Sequence, residues 1–279
     1  MALDLATLYG LLACPACGTT LQLGLSRCAR CGRVVEMSGG GLDLLDDASR
    51  PSADAFAEGY RALRLSEGWV DPTGMAPVEG RPEVWGRLRS ASRAATIVAR
   101  EWPSPAGRVV ADIGSGTGWA PALFAGFGVI AFDILPTTPT PNALTVRADM
   151  RRLPLRDSTI DAAFFSASIH YVAFAEAVSE AARVLRHGGL LLVVDSPVYT
   201  DDGSRDRASA RSAAYYKAAG HPELASDYHP AGTAEMRSAV AAAGFALLEL
   251  RTGGPVSALW RRVARRPPSS LLVARRVRK

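Results

Sequence analysis

From Arg108 onward, short apolar runs alternate with stretches of helical periodicity, and this alternation limits the possible folds more than any other feature of the chain. It places strands at residues 108–113, 128–133, 143–147, 160–166 and 189–195, and helices at about 118–126 and 173–186. The turn His187-Gly188-Gly189 precedes the fifth strand. A helix at 233–243 and strands at 244–251 and 271–274 follow, the last two expected to pair at the sheet edge. Strands separated by helices of this length specify a parallel sheet covered on both faces, and right-handed crossovers make it doubly wound α/β. Ligands of such sheets sit beyond the carboxyl ends of the strands.

The first strand, Val109 to Asp112, runs into Gly114-Ser115-Gly116-Thr117-Gly118, where glycines let a backbone approach a ligand closely. A dinucleotide fingerprint needs its third glycine where Trp119 stands, so the pattern argues against NAD. Asp112, two residues before the turn, suits a ligand with a cationic methionyl end better than a pyrophosphate. Asp133 ends the second strand 21 residues later, where a carboxylate can accept both ribose hydroxyls; its alternative is a strand-end turn acid. Asp149 and Met150 follow the third strand, offering a side-chain acceptor for an adenine amino group and a backbone N–H for a ring nitrogen.

Taken as a set, Asp112 through Gly118, Asp133, Ala148-Asp149-Met150, Leu153-Pro154-Leu155, Asp161 through Phe164, and Ala182 through Leu185 before Gly188-Gly189 resemble the class I S-adenosylmethionine-dependent methyltransferases. The resemblance is to their ubiquinone-biosynthesis-like branch and covers about a third of the chain, residues 108–195. It implies a seven-stranded Rossmann-like sheet and S-adenosylmethionine as cofactor. The expected cofactor-binding set is Asp112, Gly114, Ser115, Gly116, Asp133, Ile134, Asp149, Met150 and Ser166.

All four cysteines fall early, as Cys14-Pro15-Ala16-Cys17 and Cys28-Ala29-Arg30-Cys31. Two such knuckles, each followed by glycine (Gly18, Gly32), point to a tetrahedral four-thiolate zinc site with no open position, hence structural. Disulfides fit less well, because the first ten residues do not read as a signal peptide, and a redox pair would need a full βαβ unit. With every cysteine committed, none is left as a nucleophile. A ribbon before such a domain is distantly similar to the 23S rRNA guanine-N1 methyltransferases. The expected organisation is a zinc ribbon over residues 1–47, a helical lead-in or lid over 48–105, and the main domain over 106–279 with an irregular insertion at about 196–232. The lead-in carries helices at 53–66 and 83–101 and a loop at Asp71-Pro72-Thr73-Gly74.

The net charge of +5 sits at one end: from Arg251 onward there are nine basic residues and no acid, leaving 23 basic against 27 acidic before it. A basic loop containing a short helix is expected at 255–268. Such a tail is either a solvated terminus or a contact for phosphates. No apolar run is long enough to span a membrane, so no membrane partner and a cytoplasmic location are expected. For acid–base chemistry the candidates are His170, in Ser166 to Tyr171 after the fourth strand, and His229, in Tyr228-His229-Pro230. The other reading is that His170 and Tyr171 pack beneath the cofactor. Tyr60 and Trp69 either close over the site or anchor a core. The favoured function is methylation of a small-molecule acceptor. The alternatives are an rRNA or tRNA base methyltransferase gripping RNA with ribbon and tail, and a non-catalytic cofactor-binding protein.

Overall fold

The structure is a computed structural model and describes residues 4–38, 40–70, 82–136, 139–141, 143–252 and 270–277. In chain order the elements are α1 (Leu5–Tyr9), β1 (Glu36–Ser38), β2 (Gly41–Asp43), α2 (Arg50–Ser66), α3 (Pro82–Glu101), β3 (Val109–Ile113), β4 (Gly128–Asp133) and β5 (Ala143–Arg147). They continue as β6 (Ile160–Ser166), α4 (Phe174–Val184), β7 (Leu185–Val194), β8 (Val198–Tyr199), α5 (Asp202–Ala218), β9 (Ala231–Gly232), α6 (Thr233–Ala242), β10 (Phe245–Thr252) and β11 (Ser270–Arg276).

The main sheet runs β1-β2-β5-β4-β3-β6-β7-β11-β10. Strands β2 to β7 pair in parallel, while β11 lies antiparallel between β7 and β10. Two expectations are corrected here. The sheet has nine strands rather than seven, because β1 and β2, from just after the cysteine segment, add to its edge beside β5. It is mixed rather than wholly parallel, because the last strand runs antiparallel to both β7 and β10; the expected pairing of the last two strands at the sheet edge is found.

Period-two alternation divides the core between two faces. Val109, Ala111 and Ile113 of β3 pack with the cysteine segment, α1, α4 and α6; Val110 packs on the other face with Ala91, Ala94 and Val98 of α3 and with Phe164. The cysteine segment is fused to this core: Leu12, Cys14, Leu21 and Cys28 are buried in the same cluster as Ile113 and Phe132, and Ala13 N–H donates to Pro154 O at 2.9 Å. Arg147, buried at the end of β5, ties three elements together by reaching Asp43 of β2 at 3.3 Å, Asp54 of α2 at 2.5 Å and the Ile134 carbonyl at 3.0 Å.

The helix expected at 118–126 is a single 3-10 turn, Ala120–Leu123. Gly118 and Gly126 bracket it at positive φ, so no regular α-helix continues past either end. The stretch expected to be irregular contains the 17-residue α5, capped by Asp201, whose side chain accepts from Ser204 N–H at 2.7 Å. The expected loop at Asp71–Gly74 and the expected basic loop at 255–268 lie outside the described residues. Among the described residues no helix is long and apolar enough to cross a membrane.

Candidate active site

The chain reverses its direction of travel across the sheet at β3, moving to β4 and β5 and then returning to β6 on the other side. That reversal opens a crevice beyond the strand tips. A cavity of about 420 Å³ occupies it, and all nine residues of the expected cofactor-binding set line it: Asp112, Gly114, Ser115, Gly116, Asp133, Ile134, Asp149, Met150 and Ser166.

The floor is built from strand tips. Gly114 has φ +74°, and a Cβ there would lie 2.2 Å from Ser168 Cβ, so only glycine lets β3 turn against β6. Ser168 Oγ in turn donates to the Ile113 carbonyl at 2.6 Å. Asp133 closes the turn from the other side, accepting from Gly116 N–H at 2.6 Å and from Leu135 N–H at 2.9 Å. Asp149 accepts from Arg151 through Nη2 at 2.6 Å and from its backbone N–H at 2.8 Å.

Asp112 differs from both. Its two carboxylate oxygens are buried and have no hydrogen-bond partner, as has the hydroxyl of Ser166. Burial, reinforced by the nearby Asp133 charge, pushes the Asp112 carboxyl up to about 8. A buried acid without a partner, beside a glycine turn on an open cavity, is an acceptor lacking its donor.

The roof comes from helices. Phe56, Tyr60, Arg61 and Arg64 of α2, Trp69 beyond it and Arg87 of α3 all line the cavity, with Tyr171 facing them from the sheet side. Phe56 and Tyr60 stack with centroids 5.4 Å apart, and both meet Tyr171 edge-on at 5.7 and 5.5 Å. Arg64 sits over the Tyr60 ring at 4.6 Å, donates to Tyr171 Oη at 3.0 Å and pairs with Glu67 at 2.5 Å. A small cluster of Leu63, Tyr216 and Leu224 binds α2 to α5 and to the 3-10 turn Pro222–Asp227, so the missed helix α5 buttresses the roof.

The two histidines proposed for acid–base work lie elsewhere. Neither lines the cavity. His170 Nδ1 is 3.3 Å from Ser196 Oγ, and its carbonyl accepts from His229 N–H at 2.7 Å. Burial, followed by the Arg87 and Arg64 charges, pushes the His170 imidazole down to about 3, which makes it a poor proton acceptor. Sequence reasoning missed Arg61, Arg64 and Arg87; the i, i+4, i+8 spacing of Phe56, Tyr60 and Arg64 on one face of α2 is the signal that groups Arg64 with the two aromatic rings.

The cysteines form a second centre. The four sulfurs lie within 4.8 Å of one another. The knuckles are near copies: Cys14 N–H donates to Thr19 O and Gly18 N–H to Cys14 O, while Cys28 N–H donates to Arg33 O and Gly32 N–H to Cys28 O, all at 2.8–2.9 Å. At the other end of the chain, three of the described basic residues are taken up by structure, Arg251 by an ion pair with Glu249. Arg275 pairs with Glu101 at 2.6 Å, and Arg276 donates to the Leu185 carbonyl.

Comparison with known proteins adds three findings. Residues 111–193 match the family model described as a methyltransferase domain. Uncharacterised methyltransferases of Mycobacterium bovis and Mycobacterium tuberculosis are 34% identical over 105 residues, which is 34% of this chain and 43% of theirs, so the match spans less than half the length of those relatives. In fold the chain is similar to the geranyl diphosphate C-methyltransferase of Streptomyces coelicolor, with TM-score 0.53 at 14% identity over 81% of this chain and 98% of that one. The segment matched by the family model carries Asp112, Asp133 and Asp149, so what this chain shares with these proteins is a Rossmann-like α/β fold and the methyltransferase-domain segment that builds the cavity floor.

Proposed function

We propose that the protein is an S-adenosylmethionine-dependent methyltransferase acting on a small-molecule acceptor. The observation that carries this reading is the unpartnered carboxylate of Asp112 on the cavity floor, one strand from Asp133. The residues present fit the cofactor. Asp112 would accept from the methionyl ammonium, Asp133 from the ribose hydroxyls through the lone pairs its backbone donors leave free, and Asp149 from the adenine amino group, with the Met150 N–H beside the ring. When bound, the cofactor supplies a methyl group on a sulfonium, an electrophile already activated for displacement.

The chain's own contribution is position and exclusion of water. The glycine turn fixes the donor end against β3, and the aromatic roof of Phe56, Tyr60 and Trp69 covers the space in which an acceptor atom lines up. No histidine reaches that space, so the acceptor atom is one that attacks without a histidine base. We propose also that the four cysteine thiolates hold one structural zinc ion, since four soft donors within 4.8 Å leave no open coordination position.

Titration of the full chain with S-adenosylhomocysteine tests the first reading. Binding is expected, and Asp133→Ala is expected to weaken it by about 1–3 kcal/mol through lost hydrogen bonds. No heat of binding in the wild type, or unchanged affinity in the variant, would count against the assignment.

A further inference from the structure

The charges lining the cavity are segregated. Asp112, Asp133 and Asp149, the last paired with Arg151, lie at the strand tips, whereas α2 and α3 present Arg61, Arg64 and Arg87; Asp227, on the turn beside α5, is the one acid away from the strand tips among the described lining residues. Arg64 is already held by Glu67 and Tyr171. Arg87 is not: among the described residues no carboxylate lies within ion-pair distance of it, and its guanidinium rests on the Trp69 ring, 4.8 Å from the centroid. Asp195, the acid that senses its charge, instead accepts from Ser90 Oγ at 2.9 Å. The neighbouring imidazole of His170 is neutral and offers no compensation.

A guanidinium stacked on an aromatic face keeps its N–H edge free, and that edge matches a carboxylate or a phosphate in two parallel hydrogen bonds. Inside a partly enclosed cavity the pairing is stronger than on open surface, because the charge has already lost part of its hydration. Beside it, Trp69 and the stacked Phe56–Tyr60 pair, whose Tyr60 ring also carries Arg64, line the cavity with an aromatic wall that suits a ring-bearing partner. The methyl donor brings one carboxylate of its own, but its ammonium is drawn to Asp112 at the tip of β3, while Arg87 lies on α3 near Asp195, beyond the end of β7.

We infer that the acceptor is a planar, aromatic molecule bearing an anionic group, with the anion on Arg87 and the ring against Trp69, Phe56 and Tyr60. The inference rests on the methyl-transfer reading and specifies its substrate class. Carboxylate and phosphate share the chemistry that Arg87 recognises, so the test contains both.

The test uses the full chain saturated with S-adenosylhomocysteine and titrated in a calorimeter with benzoate, phenyl phosphate and uncharged benzamide. At least one anion is expected to bind about tenfold more tightly than benzamide. Arg87→Gln is expected to remove that preference while S-adenosylhomocysteine affinity stays within about twofold of wild type, and Arg87→Lys to restore part of it. The retained affinity for S-adenosylhomocysteine also shows that the variant is folded. Equal binding of all three probes, or binding of none, overturns the inference. So does an Arg87→Gln variant that loses S-adenosylhomocysteine as strongly as it loses the anion, because Arg87 then serves the donor's carboxylate. Failure of the wild type to bind S-adenosylhomocysteine overturns the methyl-transfer reading itself.

Discussion

Removing a carboxylate from water without giving it a donor is costly, and Asp112 carries that cost at the tip of β3. The sign of its effect on stability follows from its shift. The unfolded chain loses this proton near 3.8 and the folded one near 8, so Asp112 makes the unliganded protein progressively less stable as pH rises through that window. A ligand ammonium reverses the shift and drives the proton off. Binding of S-adenosylhomocysteine at pH 7 is therefore expected to release protons, read as a dependence of the calorimetric enthalpy on the buffer's ionisation heat. Asp112→Asn is expected to abolish that release, weaken binding and raise the melting temperature of the unliganded protein. A variant that binds as tightly as wild type and still releases the proton would place the titrating group elsewhere. The same residues show what sequence makes legible. Asp112, Asp133 and Asp149 could be picked out because each ends an apolar run, whereas Arg87 sits on a helix whose exposed face carries several arginines with nothing local to distinguish them.

At the scale of elements, the cavity depends on how α2 is held over the strand tips. Arg147 provides one hold, its guanidinium reaching β2 and α2 from the end of β5. Arg147→Met leaves Asp43 with Arg50 alone and frees Asp54, so a loss of about 3 kcal/mol is expected in urea unfolding, as when one partner of a buried pair is removed. A change within about 0.5 kcal/mol, the range of an ordinary surface substitution, would show that the roof is held by its apolar contacts instead. Helix α5 makes a related point about prediction. Its buried side chains are only Ala208 and Tyr216, so no apolar stripe announces it, and its alanines and arginines form a helix by propensity and by the Asp201 cap.

For the molecule as a whole, the main consequence of the topology is that the cysteine segment is not an appendage. Leu12, Cys14, Leu21 and Cys28 share a core with Ile113, Phe132 and Phe165, and β2 extends the sheet on which the cavity is built. Elemental analysis of the purified protein is expected to find one zinc per chain. Its removal by a chelator, or Cys14→Ser, should lower the melting temperature of the entire protein by about 5 °C or more rather than melting a separate small unit. A metal-free variant with unchanged melting would show that the thiols contribute only as buried apolar groups.

Fold class, the glycine turn, the three strand-tip acids and the paired cysteines were determined by the sequence alone, because each depends on neighbours within a few residues: alternation, turn glycines and knuckle spacing are local. The place of β2 beside β5, the insertion of β11 beside β7 and the arginine roof over the cavity were decided only by the tertiary structure. These join segments about a hundred residues apart, as Asp43 joins Arg147, and a single sequence does not encode which distant surfaces bury each other best. The seven strands expected from the pattern are present and contiguous from β5 to β10, and the two that were missed, β1 and β2, extend the sheet beyond β5 and at three residues each are too brief for their alternation to register.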